Sequence, residues 1–420
     1  MSAPARLGQV ASHLGGSKAP RTQLGVKNPD DVVIVKALRT PITRARKGGF
    51  KDTPSEFLLG TILRAVVETT NLDPALVEDI CVGNVCPPGG GAVTARMAAL
   101  YAGFPNTTSV QTVNRQCSSG LQAVVHIAHA IQAGMIDIGI GAGVESMSQF
   151  YGPKNKIVPD TLSEEVMAAP EAADCLTPMG FTSENVASEF GVPRSKQDAF
   201  AALSHQRAAK AQKEGLFDAE IYPVKTHVVD ADGNRQEIVV SRDDGVRPEA
   251  TAESLGKLKP AFSATGVTTA GNASQVSDGA AAVLLMKRSR AAELGLPVQG
   301  KLIASAVAGV PPRIMGVGPA YAVPAVLKKT GLTVDQLDII ELNEAFASQS
   351  VYSIEKLGLD INKVNPKGGA IAFGHPLGCT GARQISTLLT ELKRQNKRVG
   401  CTTMCIGGGF GMAAVFEAEY

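Results

Sequence analysis

Three short segments combine a side chain that can carry a proton or attack a carbonyl with glycines that let backbone N–H groups come close. They are Asn114–Leu121 around Cys117, Gly374–Gly381 around His375, and Cys405–Gly411. Cys117 follows a strand-like stretch, Ser109–Val113, and precedes the helical run Leu121–Ala133. A helix start, with free N–H groups and a positive dipole end, favours thiolate over thiol, and thiolate is the nucleophilic form. A lone cysteine is more often a small buried side chain. The other two segments shift that balance. Of six histidines only His375 sits in a glycine loop, and such loops can aim backbone N–H groups at a developing oxyanion. Asn343, in Asn-Glu-Ala-Phe, reads by itself as a cap or turn residue.

These residues need a scaffold, and the patterning around them is α/β. Asp31–Val35 is a buried-strand run, and Ser55–Thr69 carries Phe57, Leu58, Ile62, Leu63 and Val66 at helical spacing. Strand-like and helical runs alternate again at Asp79–Val82, Leu121–Ala133 and Asp137–Ala142, which predicts a sheet with crossover helices. From about Gln149 to Gln275, prolines, charge and turn signals interrupt the pattern. A helix over Ser195–Glu214 and a strand pair near Ile221–Val229 and Gln236–Ser241 are expected there. Apolar patterning resumes at Gly279–Met286, and α/β alternation restarts near Leu302.

The restart resembles a repeat. Asp79-Ile80 ahead of Asn84 recurs as Asp338-Ile339 ahead of Asn343, Cys117 as Cys379, and Gly139–Gly143 as Thr403–Gly407, each roughly 260 residues later. Two related α/β halves are therefore expected, with residues 31–148 plus 276–298 in the first, 299–420 in the second, and 149–275 as an inserted loop domain. Cys379 then has a packing role, and Cys81, Cys86, Cys175 and Cys401 are read as structural.

Composition bounds the function. With 41 basic and 39 acidic residues the net charge is +2, too small to attract nucleic acid or an anionic membrane. Apolar stretches such as Ala280–Met286 fall far short of the roughly 20 residues that span a bilayer. Seven cysteines without a secretory signal argue against a disulfide framework, and their spacing does not suggest zinc. Gly139-Ile-Gly141-Ala-Gly143 lacks dinucleotide-binding spacing. Residues 1–30 read as a targeting leader, basic and without an acid until Asp30. Arg6-Leu7, five residues, then His13-Leu14 resembles a type 2 peroxisomal import signal whose face a receptor would bind. A mitochondrial presequence is the alternative.

In this order, NRQCSSGLQAV (114–124), NEAFA (343–347), GGAIAFGHPLGCTGARQ (368–384) and MCIGGGFG (404–411) resemble the signatures of the thiolase family. The resemblance runs from about residue 31 to the end, and within the family it points to the peroxisomal, 3-ketoacyl-CoA-cleaving members. It implies a five-layer α-β-α-β-α fold of two duplicated halves. It implies that Cys117 is acylated, that His375 takes its proton, and that Cys405 is a second acid/base. His375 with a water held by Asn343 would form one oxyanion site, and the N–H groups of Cys117 and Gly407 the other. Acyl-CoA and CoA are the implied ligands, near Ser274 and Met179, with CoA a substrate and no cofactor needed; a homodimer is implied too. Pro178 stands where acetoacetyl-specific relatives carry histidine, which favours longer acyl chains. The rival readings are a condensing acetoacetyl-CoA thiolase and a non-catalytic lipid-binding protein of the same fold. Phe410 departs from the family's last glycine loop.

Overall fold

The β-branched run near the start forms strand β1 (Val32–Arg39), and its period-two alternation divides the core. Val33 and Val35 point into one apolar cluster, Val32 and Ile34 into another. The computed structural model describes residues 23–152 and 161–420, so Arg6, Leu7, His13 and Leu14 lie outside the described residues. The other strands are β2 (Thr43–Arg44), β3 (Asp79–Gly83), β4 (Ser109–Val113), β5 (Ile138–Ser146), β6 (Val224–Val229), β7 (Arg235–Val240), β8 (Ser277–Lys287), β9 (Gly300–Gly309), β10 (Ile339–Leu342), β11 (Val399–Ile406) and β12 (Phe410–Ala418). The order β10-β11-β12-β9-β1-β8-β5-β3-β4, with β2 on β8, makes one ten-stranded mixed sheet; β6 and β7 form a separate hairpin.

The same series of elements occurs twice along the chain. β1, helix Ser55–Thr70, β3, helix Ala92–Tyr101, β4, helix Ser119–Gln132, β5 and β8 compose the first series. β9, helix Gly318–Thr330, β10, helix Ala347–Leu357, a single bridge at Val364, helix Leu377–Arg394, β11 and β12 compose the second. Pairing matches too: β3 with β5 and β10 with β11 are parallel, β5 with β8 and β11 with β12 antiparallel. Three apolar clusters separate the layers. One lies between Ser55–Thr70, Ala92–Tyr101 and the first half of the sheet, and one between Gly318–Thr330 and the second half. The third surrounds helices Ser119–Gln132 and Leu377–Arg394, which pack together in the middle. The result is the five-layer α-β-α-β-α arrangement. Because the middle helices are covered on several sides, they carry apolar or hydrogen-bonded side chains around most of their circumference.

The two middle helices touch backbone to backbone near their N-termini. A Cβ on Gly120 would stand 2.6 Å from the Gly378 carbonyl oxygen and 2.9 Å from Ala382 N, and one on Gly381 would collide with Leu121 N. Only glycine permits this approach. It brings the start of one helix, just after Cys117, against the start of the other, just after His375.

The contact also corrects the register of the duplication. Gly120 and Gly381 are counterparts across the crossing, which matches Cys379 with Ser118 rather than with Cys117. Glu78 accepts hydrogen bonds from the N–H groups of Asp137 (2.5 Å) and Ile138 (3.1 Å), as Asp338 does from Arg398 (3.0 Å) and Val399 (2.9 Å). Asp338 therefore matches Glu78, not Asp79. Asp79 faces Gly139 as Ile339 faces Gly400, so Gly139–Gly143 matches a segment beginning at Gly400, not at Thr403.

Between β5 and β8 the described part of the insertion holds helices Met179–Glu189 and Arg194–Lys213 and the β6–β7 hairpin, close to expectation. It is locked to both halves by buried charge. Arg39 of β1 pairs with Glu220 (2.7 Å) and Asp243 (2.7 Å) of the insertion, and Glu220 also binds Lys367 (2.7 Å) of the second half. At the other end of the molecule, residues 23–30 do not hang free as part of a leader. Gly25 N donates to Glu417 (2.9 Å), and the buried Lys301 ammonium donates to the carbonyls of Gln23 (2.7 Å) and Val26. Among the described residues no helix is long and apolar enough to cross a membrane.

Candidate active site

The Cys117 turn is strained. Gln116 has φ +46°, a left-handed conformation that non-glycine residues rarely adopt, held because Asn114 Oδ1 accepts its N–H (2.9 Å) and Ser119 N donates to its carbonyl (3.0 Å). This turn ends β4 abruptly and sets Cys117 before the helix, where it is buried. Burial pushes the thiol up to about 11. The N–H groups of Gly407 and of Cys117 itself pull the other way, and the Glu145 carboxylate adds to the rise. Desolvation thus outweighs the pull of the helix end towards thiolate. At neutral pH Cys117 rests as thiol and needs a base.

His375 follows Gly374, whose φ of +111° turns the chain tightly past Ser277. Its Nδ1 lies 2.6 Å from Thr380 Oγ1, and the Thr380 hydroxyl donates to the Pro376 carbonyl (3.0 Å). With the threonine proton spent there, Thr380 must accept, so Nδ1 carries the imidazole proton and Nε2 presents a lone pair. Asn343 Nδ2 stands 3.2 Å from that Nε2. Burial, then the nearby Arg383 guanidinium, lowers His375 to about 3, so the ring rests neutral at physiological pH.

Asn343 is not a simple cap. Its N–H donates to Thr403 O (2.9 Å) and its carbonyl accepts from Gln349 (2.9 Å), while its side-chain Oδ1 is buried without a protein partner. The neighbouring Glu344 receives Ser204 Oγ (2.6 Å), Asn365 Nδ2 (2.8 Å) and Ile371 N (3.1 Å), which binds the Asn343 turn to the loop leading to His375.

Cys405 is the next-to-last residue of β11, fully buried. Burial, reinforced by nearby Cys117, holds its thiol well above the usual range. It packs with Met315 and Ala345, with Met179 and Phe346 alongside, and Met179 Sδ would lie 3.7 Å from a Cβ on Gly407. Cys117, Cys405, Gly407 and Met179 therefore form one group, and Asn343 with His375 another, joined at the helix crossing. Ser274 joins through its backbone, donating to Ala345 O (2.9 Å) two residues from Asn343. Pro178 caps helix Met179–Glu189, and Phe410 is exposed at the end of the last glycine loop. Sequence reasoning missed three residues. Thr380, Glu344 and Glu145 act by hydrogen bonding, and each was legible only as a polar letter beside a motif. Among the described residues no cluster of three or more His, Cys, Asp or Glu is placed to hold a metal ion.

Models of known protein families match this architecture end to end: "Thiolase, N-terminal domain" over residues 32–289 and "Thiolase, C-terminal domain" over 296–418. The chain belongs to the thiolase family. Among thiolases it is similar to peroxisomal 3-ketoacyl-CoA thiolase A of Rattus norvegicus, 56% identical over 99% of this chain and 97% of the relative. It is also 55% identical to the peroxisomal 3-ketoacyl-CoA thiolase of Yarrowia lipolytica, over 99% of this chain and 100% of that one. The crystal structure of the dimeric peroxisomal thiolase of Saccharomyces cerevisiae matches with a TM-score of 0.87 and 51% identity, covering 94% and 99% of the two chains.

Proposed function

We propose that this thiolase cleaves 3-ketoacyl-CoA with CoA, giving acetyl-CoA and an acyl-CoA shortened by an acetyl unit, the closing step of a round of fatty acid β-oxidation. One observation carries the reading: Gly407 lies against the nucleophile's turn, a Cβ there falling 3.7 Å from Gln116 Cγ, and its N–H, like that of Cys117 itself, favours negative charge at Cys117. Two backbone donors at a nucleophile are the arrangement that stabilises oxyanions in acyl transfer, each worth about 3 kcal/mol in related chemistry.

His375 Nε2 takes the Cys117 proton, and the thiolate attacks the substrate's β-keto carbon. The bond between α and β carbons then breaks, its electron pair leaving as the acetyl-CoA enolate, which the Cys405 thiol protonates at carbon. The acyl group stays on Cys117 as a thioester. Free CoA gives its thiol proton to Cys405 and attacks that thioester, releasing the shortened acyl-CoA and returning Cys117 to His375 for reprotonation. Two half-reactions of this kind give ping-pong kinetics. Imidazolium at His375 with a water held by Asn343 stabilises the enolate oxygen, consistent with the unpartnered Asn343 Oδ1.

In this reading residues 31–148 with 276–298 and residues 299–420 are the two catalytic halves, and 149–275 carries CoA near Ser274 and Met179. CoA is a substrate and no further cofactor takes part. The enzyme works in the peroxisome, as its relatives' names and the Arg6-Leu7/His13-Leu14 leader suggest, with an import receptor for that signal as partner. Like the S. cerevisiae relative it is a homodimer; the open edge of β4 beside Val93, Met97, Leu100 and Tyr101, exposed on one helix face, offers a surface for the second copy.

Steady-state thiolysis of acetoacetyl-CoA and of a long-chain 3-ketoacyl-CoA by the purified protein tests the substrate class. Turnover of the long chain with comparable or greater kcat/KM is expected. Activity confined to acetoacetyl-CoA would replace this reading with the acetoacetyl-CoA thiolase one.

A further inference from the structure

Glu145 is the next-to-last residue of β5, inside the seam between the halves, and is fully buried. Its Oε2 accepts the N–H groups of Val85 (3.2 Å) and Gly378 (3.0 Å), and its Oε1 that of Cys86 (3.1 Å). The Cys86 thiol beside it also favours its charged form. Burying a carboxylate is costly, and an amide could not replace it: Gln has one acceptor oxygen, so its NH2 would face an N–H donor.

The three amides come from two places. Val85 and Cys86 follow β3 and are bound to the nucleophile's turn, since Asn84 N donates to Val113 O (3.2 Å) and Asn114 Nδ2 to Val85 O (3.4 Å). Gly378 belongs to the other half, three residues after His375, in the first turn of helix Leu377–Arg394. Its own carbonyl abuts Gly120 and Gly143.

We propose that Glu145 is a positioning residue for thiolysis: acting through Gly378 on one side and Val85–Cys86 on the other, it sets the loop of His375 against the turn of Cys117. The proposal rests on the thiolytic reading above. Its negative charge has a second effect, because it opposes ionisation of Cys117. The other titratable groups placed around Cys117 are Cys405, Cys86, Tyr151 and His375, all pushed towards their neutral forms by burial, so Glu145 supplies the anionic influence near neutrality. Burial raises Glu145 itself to about 7, its amide partners and the Cys86 thiol pulling the other way, so the test is run at pH 8.

Glu145→Gln and Glu145→Asp are compared with wild type, full-length, for kcat, KM and the pH dependence of Cys117 alkylation by iodoacetamide. Displacing a catalytic pair by about 1 Å costs on the order of 100-fold. E145Q should lose kcat by about that factor with KM changed less than about threefold, and its alkylation profile should move to lower pH. E145D keeps the charge but is one methylene too short to span both loops. It should lose kcat while keeping the wild-type alkylation profile, and it carries the test if E145Q does not fold. Wild-type kcat in either variant, or an unshifted alkylation profile in folded E145Q, would overturn the proposal. Wild-type protein that neither turns over nor forms an acyl adduct would instead remove the thiolytic reading beneath it.

Discussion

His375 stays neutral because burial and Arg383 disfavour its charge, and that has a consequence for stability. Its folded value of about 3 lies below the roughly 6.5 of a free histidine, so the unfolded chain binds the proton first as pH falls. Its contribution is intact above about pH 6.5 and is lost progressively towards pH 3. Glu145 and Glu341, both raised to about 7 chiefly by burial, act in the opposite sense, their contributions being lost as pH rises through 7. The wild-type slope mixes these effects, but a difference isolates one. Calorimetric Tm measured from pH 7 to pH 5 should fall less in H375N than in wild type; parallel curves would mean that His375 is not held neutral. At this scale Cys117, His375 and Cys405 stood out as candidates because each is a reactive side chain among glycines. Glu145, Glu344 and Thr380 were not, since what distinguishes them is whose amide or ring they meet. For Cys117 the helix start is visible in the sequence, while the depth of burial that outweighs it is not.

Between elements the governing contact is the crossing of Ser119–Gln132 with Leu377–Arg394. A methyl at Gly120 meets carbonyl and amide atoms of a helix that cannot yield locally, so the helices must separate. Gly120→Ala should lower unfolding stability by about 2–3 kcal/mol, the range of overpacked cores, and cut thiolysis by on the order of 100-fold. Gly309→Ala, exposed and with nothing near its Cβ, is the control and should stay within about 0.5 kcal/mol of wild type. Denaturant titration and steady-state rates measure both, and equal behaviour of the two variants would remove the crossing from the account. Strands and helices themselves were readable within a few residues, from β1 to the β6–β7 hairpin, because their periodicity is strong. The repeat was readable too, but its register was not. Matches of two or three letters slip freely, whereas Gly120 against Gly381 and the paired carboxylates Glu78 and Asp338 fix it in space.

Taken whole, the molecule is two similar α/β halves whose seam holds the chemistry, with the insertion bolted to both through Arg39, Glu220 and Lys367. Of the residues proposed to carry the chemistry, Cys117 lies in one half and His375, Asn343 and Cys405 in the other, a division that divergence of a duplicated fold allows. The segment from Gln23 onwards belongs to this body, which sequence composition disguised as leader because its anchors, Lys301 and Glu417, lie far along the chain. The central claim is that Cys117 carries the acyl group between the halves of the reaction. Intact mass spectrometry after brief exposure to a 3-ketoacyl-CoA without free CoA reads this directly. Wild type should gain the mass of one chain-shortened acyl group, located on Cys117 by peptide mapping, and Cys117→Ser should gain none. An adduct of the same mass surviving in Cys117→Ser would contradict the account.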